Sequence, residues 1–185
     1  MFWRTILHAV ISHFGPRLDH FEVARTNFVT VPTDLDILQH MNNGVYLSIM
    51  DVARFDMLRR NGVWKIFLAR GWYPVVVAET ISFRKSLTLG QRFTVESRII
   101  GFDEKAVYVE QRFVRPDAEG RLEIYAHGFI RGRFLKRSGG VVTIDELLAA
   151  IGVAPDNVTV PQWLLEWSQD VTMPATRAPA PSLWP

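Results

Sequence analysis

The sequence predicts an α+β fold in which one antiparallel sheet wraps a long central helix. Two observations predict it. Val45 to Leu58 carries Leu47, Ile49, Met50, Val52, Ala53 and Phe55 and no Pro, so it reads as a helix apolar on most sides, the pattern of a buried helix. Downstream, three strand-like runs follow one another through short turns, and strands joined in that way after a single helix form a meander.

Taken in order, Met1 to Phe14 is a first helix. Trp3, Ile6, Leu7, Val10, Ile11 and Phe14 recur at helical spacing opposite Arg4, Thr5, His8 and Ser12, and Gly15-Pro16 stops the run. Arg4 alone supplies positive charge and no small-x-small cleavage site follows, which argues against a signal peptide. Three readings stand for this helix: packed on the domain, in a dimer contact, or lying in a membrane interface. Amphipathic helices most often cover a core, so the expectation is that its apolar side is packed against the domain or a partner subunit.

Phe21 to Val31 reads as a strand ending at Pro32. The central helix then begins at Asn42 or Asn43 as N-cap and stops at Asn61-Gly62. Val63 to Arg70 is a short second helix, and Gly71 to Pro74 breaks into a strand over Val75 to Phe83. Gln91 to Ile100 alternates Phe93, Val95, Ser97 and Ile99 with Arg92, Thr94, Glu96 and Arg98, a period of two. Gly101 to Glu104 turns into Ala106 to Val114, and Asp117 to Gly120 turns into the long strand Leu122 to Lys136. Asp145 to Ile151 is a short helix with Thr143 as N-cap and Gly152 closing it. From Ala154 the composition shifts to a Pro-rich tail whose one apolar patch is Trp163 to Trp167, and no regular element is expected beyond Met173. The chain thus divides into an N-terminal helix (1–16), a domain (17–152) and a C-terminal extension (153–185).

Composition bounds the function. The 185 residues carry a net charge of only +2, and no Arg/Lys run with interleaved aromatics supports nucleic-acid binding. The absence of Cys excludes thiolate catalysis and Cys-ligated zinc and fits a reducing, cytoplasmic setting. No apolar stretch approaches the roughly 18 residues that span a bilayer. The His residues at 8, 13, 20, 40 and 127 lack metal-ligand spacing, and there is no Gly-x-Ser-x-Gly elbow or phosphate-binding Gly loop.

The chemistry concentrates at Asp36, His40, Asn42, Asn43 and Tyr46, just ahead of the central helix. The free N–H groups of a helix's first turn carry the positive end of its dipole, so an acid facing them is placed to activate a nucleophile while they hold a developing oxyanion. Asp36 is the catalytic candidate; read alone, it is better explained as a turn residue, and its grouping with His40, Asn42, Asn43 and Tyr46 is what favours catalysis. Asp34 reads as a turn residue or as a like charge that raises the pKa of Asp36. His40 is open between orienting Asp36, donating to substrate and bonding the loop backbone. Tyr46 is open between substrate contact and core packing with a tethered hydroxyl. Asp51 and Arg54 are spaced to pair on one helix face.

The string Asp36-x-x-x-His40-Met41-Asn42-Asn43-x-x-Tyr46, followed by Asp51 and Ala53-Arg54, resembles the hotdog-fold thioesterases of the 4-hydroxybenzoyl-CoA and long-chain acyl-CoA clade. The fuller string from Pro32 looks most like the thioesterase superfamily member six type. The motif covers about 25 residues, and the resemblance continues less specifically to about Lys136. It implies a hotdog domain that hydrolyses a fatty or aromatic acyl-CoA, needs no cofactor because CoA belongs to the substrate, and forms a homodimer or dimer of dimers. It gives Asp36 the part of nucleophile or of base for water, and gives the backbone N–H at Asn43 the polarisation of the thioester carbonyl. Asn42, Tyr46, Arg84, Lys85, Arg131 and Arg133 are the substrate-binding candidates, the four cations for the CoA phosphates, with Lys136 and Arg137 beside them. Plant acyl-ACP thioesterases place a catalytic Asn two positions after the Asp; here that residue is Leu38, so Asn-assisted chemistry is not carried over. A non-catalytic acyl-CoA or lipid binder of the same fold is the alternative, and a hotdog dehydratase, whose His-Phe-Pro-Gly type motif is missing, is a weaker third.

Overall fold

The computed structural model describes residues 2–175, 177–180 and 182, without the side chains of Phe2, Trp3, Thr5, Ala9, His13 and Phe14. Helix α1 (Phe2–Phe14) leads into β1 (Ala24–Val29), a 3-10 turn at Pro32–Asp34, α2 (Asn43–Arg60) and α3 (Val63–Arg70). The strands β2 (Trp72–Phe83), β3 (Arg92–Phe102), β4 (Val107–Pro116) and β5 (Leu122–Lys136) follow, then α4 (Ile144–Ile151) and α5 (Gln162–Asp170). The strands form one antiparallel sheet in the order β1-β3-β4-β5-β2, wrapped on α2 as the sequence predicts.

Helix α2 buries Ile49, Met50, Ala53 and Met57 against Phe93, Val95, Phe113, Ala126 and Ile130 of the sheet. Gly128 on β5 permits the close approach, because a Cβ there would stand 2.6 Å from Met50 Cε. An aromatic row runs under the start of α2. Phe28 stacks on Phe93 at 5.6 Å and Phe93 on Phe113 at 5.7 Å, while Tyr46 sits 4.9 Å from Phe113 and 5.0 Å from Phe83. That row fixes the first turn of α2 against the C-terminal end of β2.

Three element readings change. The first strand opens at Ala24 rather than Phe21. β2 opens at Trp72 and runs through Pro74, which is tolerated because β2 is an edge strand with one side free of ladder bonds. The C-terminal extension contains α5, read from sequence only as an apolar patch. Pro161 stands at its N-cap, where a missing N–H costs nothing, and Leu164, Leu165 and Trp167 pack on Ile100, Tyr108 and Phe129 of the sheet's outer face.

Of the two packings expected of helix α1, the one on its own domain is not found for its described apolar side chains. Arg4, His8 and Ser12, one stripe at i, i+4 and i+8, turn toward the domain, and His8 and Ser12 are buried. Ile6, Leu7, Val10 and Ile11 face outward at 40, 56, 55 and 52 % exposure. The cause is Asp34, a buried carboxylate that needs a counter-ion and takes both terminal guanidinium nitrogens of Arg4, at 2.9 and 2.8 Å. The His8 ring lies tilted against Phe28 with centroids 4.4 Å apart, and burial pushes its pKa down. The expectation for Trp3 and Phe14 lies outside the described side chains. Among the described residues no helix is long and apolar enough to cross a membrane.

Candidate active site

The site is built by the loop between β1 and α2. Asp36 N–H donates to the His40 carbonyl at 2.8 Å, and Leu35 pairs with Met41, so the loop closes on itself. Gln39 at its tip takes φ +61, a left-handed conformation that a non-glycine residue holds only where its surroundings fix it. The fixing bonds are Met41 N–H to Leu87 O and Asn42 N–H to Asp34 O, both 2.8 Å.

Within that loop, Oδ1 of Asp36 accepts the N–H groups of Leu38 at 2.8 Å and His40 at 3.2 Å. Its other oxygen, Oδ2, accepts no hydrogen bond among the described residues. The carboxylate is therefore held by one oxygen and available through the other.

Asn42 is the N-cap of α2: its Oδ1 accepts from Gly44 N–H at 2.9 Å and its carbonyl from Val45 N–H at 2.9 Å. Asn43 N–H, between those two donors, has no acceptor among the described residues. It is the first-turn donor left for a ligand, with the helix dipole behind it.

Asp36, His40, Asn43, Tyr46, Arg84 and Lys85 line one cavity of about 240 Å³ at this helix end, with Phe83 as its apolar wall. Tyr46 Oη accepts from the buried Leu87 N–H at 3.3 Å, and burial pushes its pKa up, so the hydroxyl keeps its proton and remains a donor. Arg84 and Lys85 share Glu123 at 3.1 and 2.7 Å on the exposed rim, and the Lys85 bond first, then Arg84, holds Glu123 below the usual carboxylate range.

The other sequence candidates lie elsewhere. Asn42 is engaged as the helix cap and does not line the cavity. Arg131 stands on the outer face of the sheet, where its guanidinium binds Asp103 at 2.9 Å and Tyr108 Oη at 3.0 Å. Arg133 follows it on that face, since alternate residues of a strand point the same way. Neither reaches the cavity, because Ile130, Gly132 and Phe134 occupy the helix-facing positions of that stretch. Asp34 is a turn residue, as one of its two readings has it, in the 3-10 turn Pro32–Asp34; it is also buried, 2 % exposed, paired with Arg4, and accepts Val31 N–H at 2.9 Å.

Sequence reasoning missed a second cavity, of about 420 Å³ and almost wholly apolar. It lies further along the seam between α2 and β2, among Met57, Leu58, Val63, Val76, Gly132 and Ile151, with Asp51 and Arg54 at its polar side. Asp51 and Arg54 do pair, and Arg54 also reaches the buried Gln111 Oε1 at 2.8 Å, whose Nε2 bonds Ser97 Oγ and Met50 O. The available signal was an Arg inside an apolar helix: such a charge is buried only beside polar partners.

Comparison with known proteins places the chain in a family and matches its fold. The family model described as thioesterase-like superfamily matches residues 30–168. The chain is 43 % identical over 86 residues, 46 % of its length, to Protein THEM6 of Xenopus laevis, and the match spans 42 % of that relative, less than half its length. The solved structure of the YbaW probable thioesterase from Escherichia coli superposes with a TM-score of 0.61 at 22 % identity, over 69 % of this chain and 98 % of that one. A 4-hydroxybenzoyl-CoA thioesterase solved in complex with 4-hydroxybenzoyl-CoA gives a TM-score of 0.61 at 14 % identity, over 69 % and 98 %.

Proposed function

The chain belongs to the thioesterase-like superfamily, with its hotdog fold, and from that premise we propose that it hydrolyses an acyl-CoA to free acid and CoA. One observation carries the reading: Asp36, with an oxygen that accepts no hydrogen bond among the described residues, and Asn43, whose N–H has no acceptor among them, line the same cavity. A carboxylate and an oxyanion donor are the two groups that acyl transfer from a thioester needs.

In this reading the thioester carbonyl oxygen rests on Asn43 N–H, where the charge of the tetrahedral intermediate develops against the helix dipole. Asp36 Oδ2 either attacks the carbonyl carbon, giving a mixed anhydride that water then opens, or takes a proton from the attacking water. In both routes the carbon–sulfur bond breaks and CoA departs as thiolate. A single turnover in ¹⁸O-labelled water that leaves the first product's new oxygen unlabelled identifies the anhydride route, opened by water at the Asp36 carbonyl carbon. Tyr46 Oη and His40 are the polar groups nearest to orient the thioester, and no cofactor is required.

Arg84 and Lys85 receive the CoA phosphates at the exposed rim, and the acyl chain follows the α2–β2 seam into the apolar cavity. The free edge of β2 exposes Tyr73, Val76, Val77 and Phe83, an apolar edge that a second copy is suited to cover. A homodimer, alone or paired as a dimer of dimers, would close the seam over the acyl chain.

The test is release of CoA thiol by the full-length protein from a panel of acyl-CoAs from two to eighteen carbons, with 4-hydroxybenzoyl-CoA included. Turnover on part of that panel is expected. Saturable binding of the same compounds without thiol release would instead establish a non-catalytic acyl-CoA binder.

A further inference from the structure

The N-terminal helix is fastened to the loop that carries Asp36. Arg4 crosses 30 residues of sequence to place its two terminal nitrogens on the two oxygens of Asp34, at 2.9 and 2.8 Å, and the second nitrogen also reaches the Val29 carbonyl at 3.1 Å. Both partners are withdrawn from solvent, with the Arg4 side chain 14 % exposed and that of Asp34 3 %.

Asp34 is the junction of the loop. Its side chain caps Val31 N–H at the end of β1, and its carbonyl accepts Asn42 N–H at 2.8 Å. Asn42 in turn caps α2 beside Asn43. Asp36 is two residues beyond Asp34 inside the same closed loop. One contact with α1 is thus tied to both the acid and the oxyanion donor of the proposed site.

We infer that Arg4 is a positioning residue: through Asp34 it sets the Asp36 loop and the N-terminus of α2 in register for the reaction. The inference rests on the acyl-CoA hydrolase reading. The fork matters, because a guanidinium meets a carboxylate through two parallel bonds whereas an ammonium is a point charge that leaves the carboxylate free to swing. The outward apolar side of α1 is consistent with a helix held by this polar contact and not by burial of its own aliphatic side chains.

The test uses full-length Arg4→Gln, Arg4→Lys and, as a change that preserves side-chain shape, Asp34→Asn. Backbone hydrogen exchange is read at Leu38, His40 and Gly44, with amides of β3 and β4 as internal standard. CoA release from palmitoyl-CoA is measured in parallel. Arg4→Gln and Asp34→Asn should speed loop exchange about tenfold while the sheet amides hold. They should lower kcat about 10- to 100-fold with KM within about twofold, because a shift of about 1 Å in a reacting group costs rate more than binding. Arg4→Lys should recover only part of the kcat.

Unchanged loop exchange, or a wild-type kcat in Arg4→Gln, overturns the inference. So does loss of protection across the sheet as well, which would make Arg4 a support of the whole domain. If the wild type releases no CoA, the hydrolase reading falls, and the exchange measurement still decides whether Arg4 sets the loop.

Discussion

Replacing Gly132 by Val tests where the acyl chain goes. Gly132 lines the 420 Å³ cavity from β5, and a Cβ there would meet Val107 Cγ1 at 3.5 Å and the Val75 carbonyl at 3.7 Å, both ordinary contacts. A Cβ therefore enters without displacing backbone, and the methyl groups that valine adds beyond it are expected to take up cavity volume. Helix α2 supplies the ruler. At about 1.5 Å per residue, the eight residues from Asn43 to Asp51 span about 12 Å, and the fifteen to Leu58 about 22 Å. An extended chain advances about 3.5 Å per three bonds, so about ten carbons reach the cavity and about eighteen reach its far wall. The added side chain displaces roughly three methylenes, and at about 0.8 kcal/mol each the loss is about 2.4 kcal/mol. That corresponds to about 60-fold in kcat/KM for a sixteen-carbon substrate. Six-carbon substrates end short of the cavity and should be unaffected. Steady-state thiol release across the chain-length series is the assay, with the thermal midpoint expected to hold because Val suits a strand better than Gly. An equal loss at every chain length, or no loss at sixteen carbons, would refute this path.

Other perturbations have equally definite outcomes. His127 first, then Arg98, holds the Glu110 carboxyl at about 2, so its stabilisation is full above pH 4.5 and lost as pH falls from 4.5 toward 2. Glu110→Gln should cost about 1–3 kcal/mol at pH 7, discounted for partial solvent access, and urea titrations should show the gap to wild type closing across that acid window. Leu164→Ala should cost about 2–4 kcal/mol of unfolding free energy, since Leu164 is 0 % exposed on the outer face of the sheet; removal of residues 174–185 should leave the thermal midpoint nearly unchanged. Leu7→Gln, Val10→Ser and Ile11→Gln on the outward side of α1 should each change stability by no more than about 0.5 kcal/mol, which chemical denaturation of the single variants checks directly.

The fold was legible because its signals are local. The Pro-free apolar run of α2, the Asn42 cap and the period of two in β3 each appear within a dozen residues, and β5 falls at the predicted Leu122–Lys136. The grouping of Asp36, His40, Asn43 and Tyr46 was legible for the same reason, since one short loop and one helical turn bring them together. Arg84 and Lys85 reach that cavity because β2 ends at Phe83 against Tyr46.

What the sequence hid depends on long-range partners. The inward side of α1 is chosen by a carboxylate 30 residues away, so its hydrophobic periodicity pointed to the opposite side. Arg131 and Arg133 sit on the outer face of β5, which mixes charged with apolar residues such as Phe129, and nothing local reveals that Asp103 and Tyr108 hold the first of them. The apolar cavity needs α2, α3, β2, β5 and α4 in place before it exists, and α5 is short enough for the surrounding prolines to mask its pattern.

The central claim is that Asp36 does the chemistry at the N-terminus of α2. Its most direct test is a single-turnover measurement of CoA release by Asp36→Asn against wild type, with the substrate that the panel shows to be best. Asn keeps an acceptor for the Leu38 and His40 N–H groups, so the fold and substrate binding should survive. The rate should fall by about three orders of magnitude or more, as the loss of a nucleophile or essential base demands. A folded Asp36→Asn protein that releases CoA within about tenfold of the wild-type rate would contradict the assignment and move the chemistry to another carboxylate.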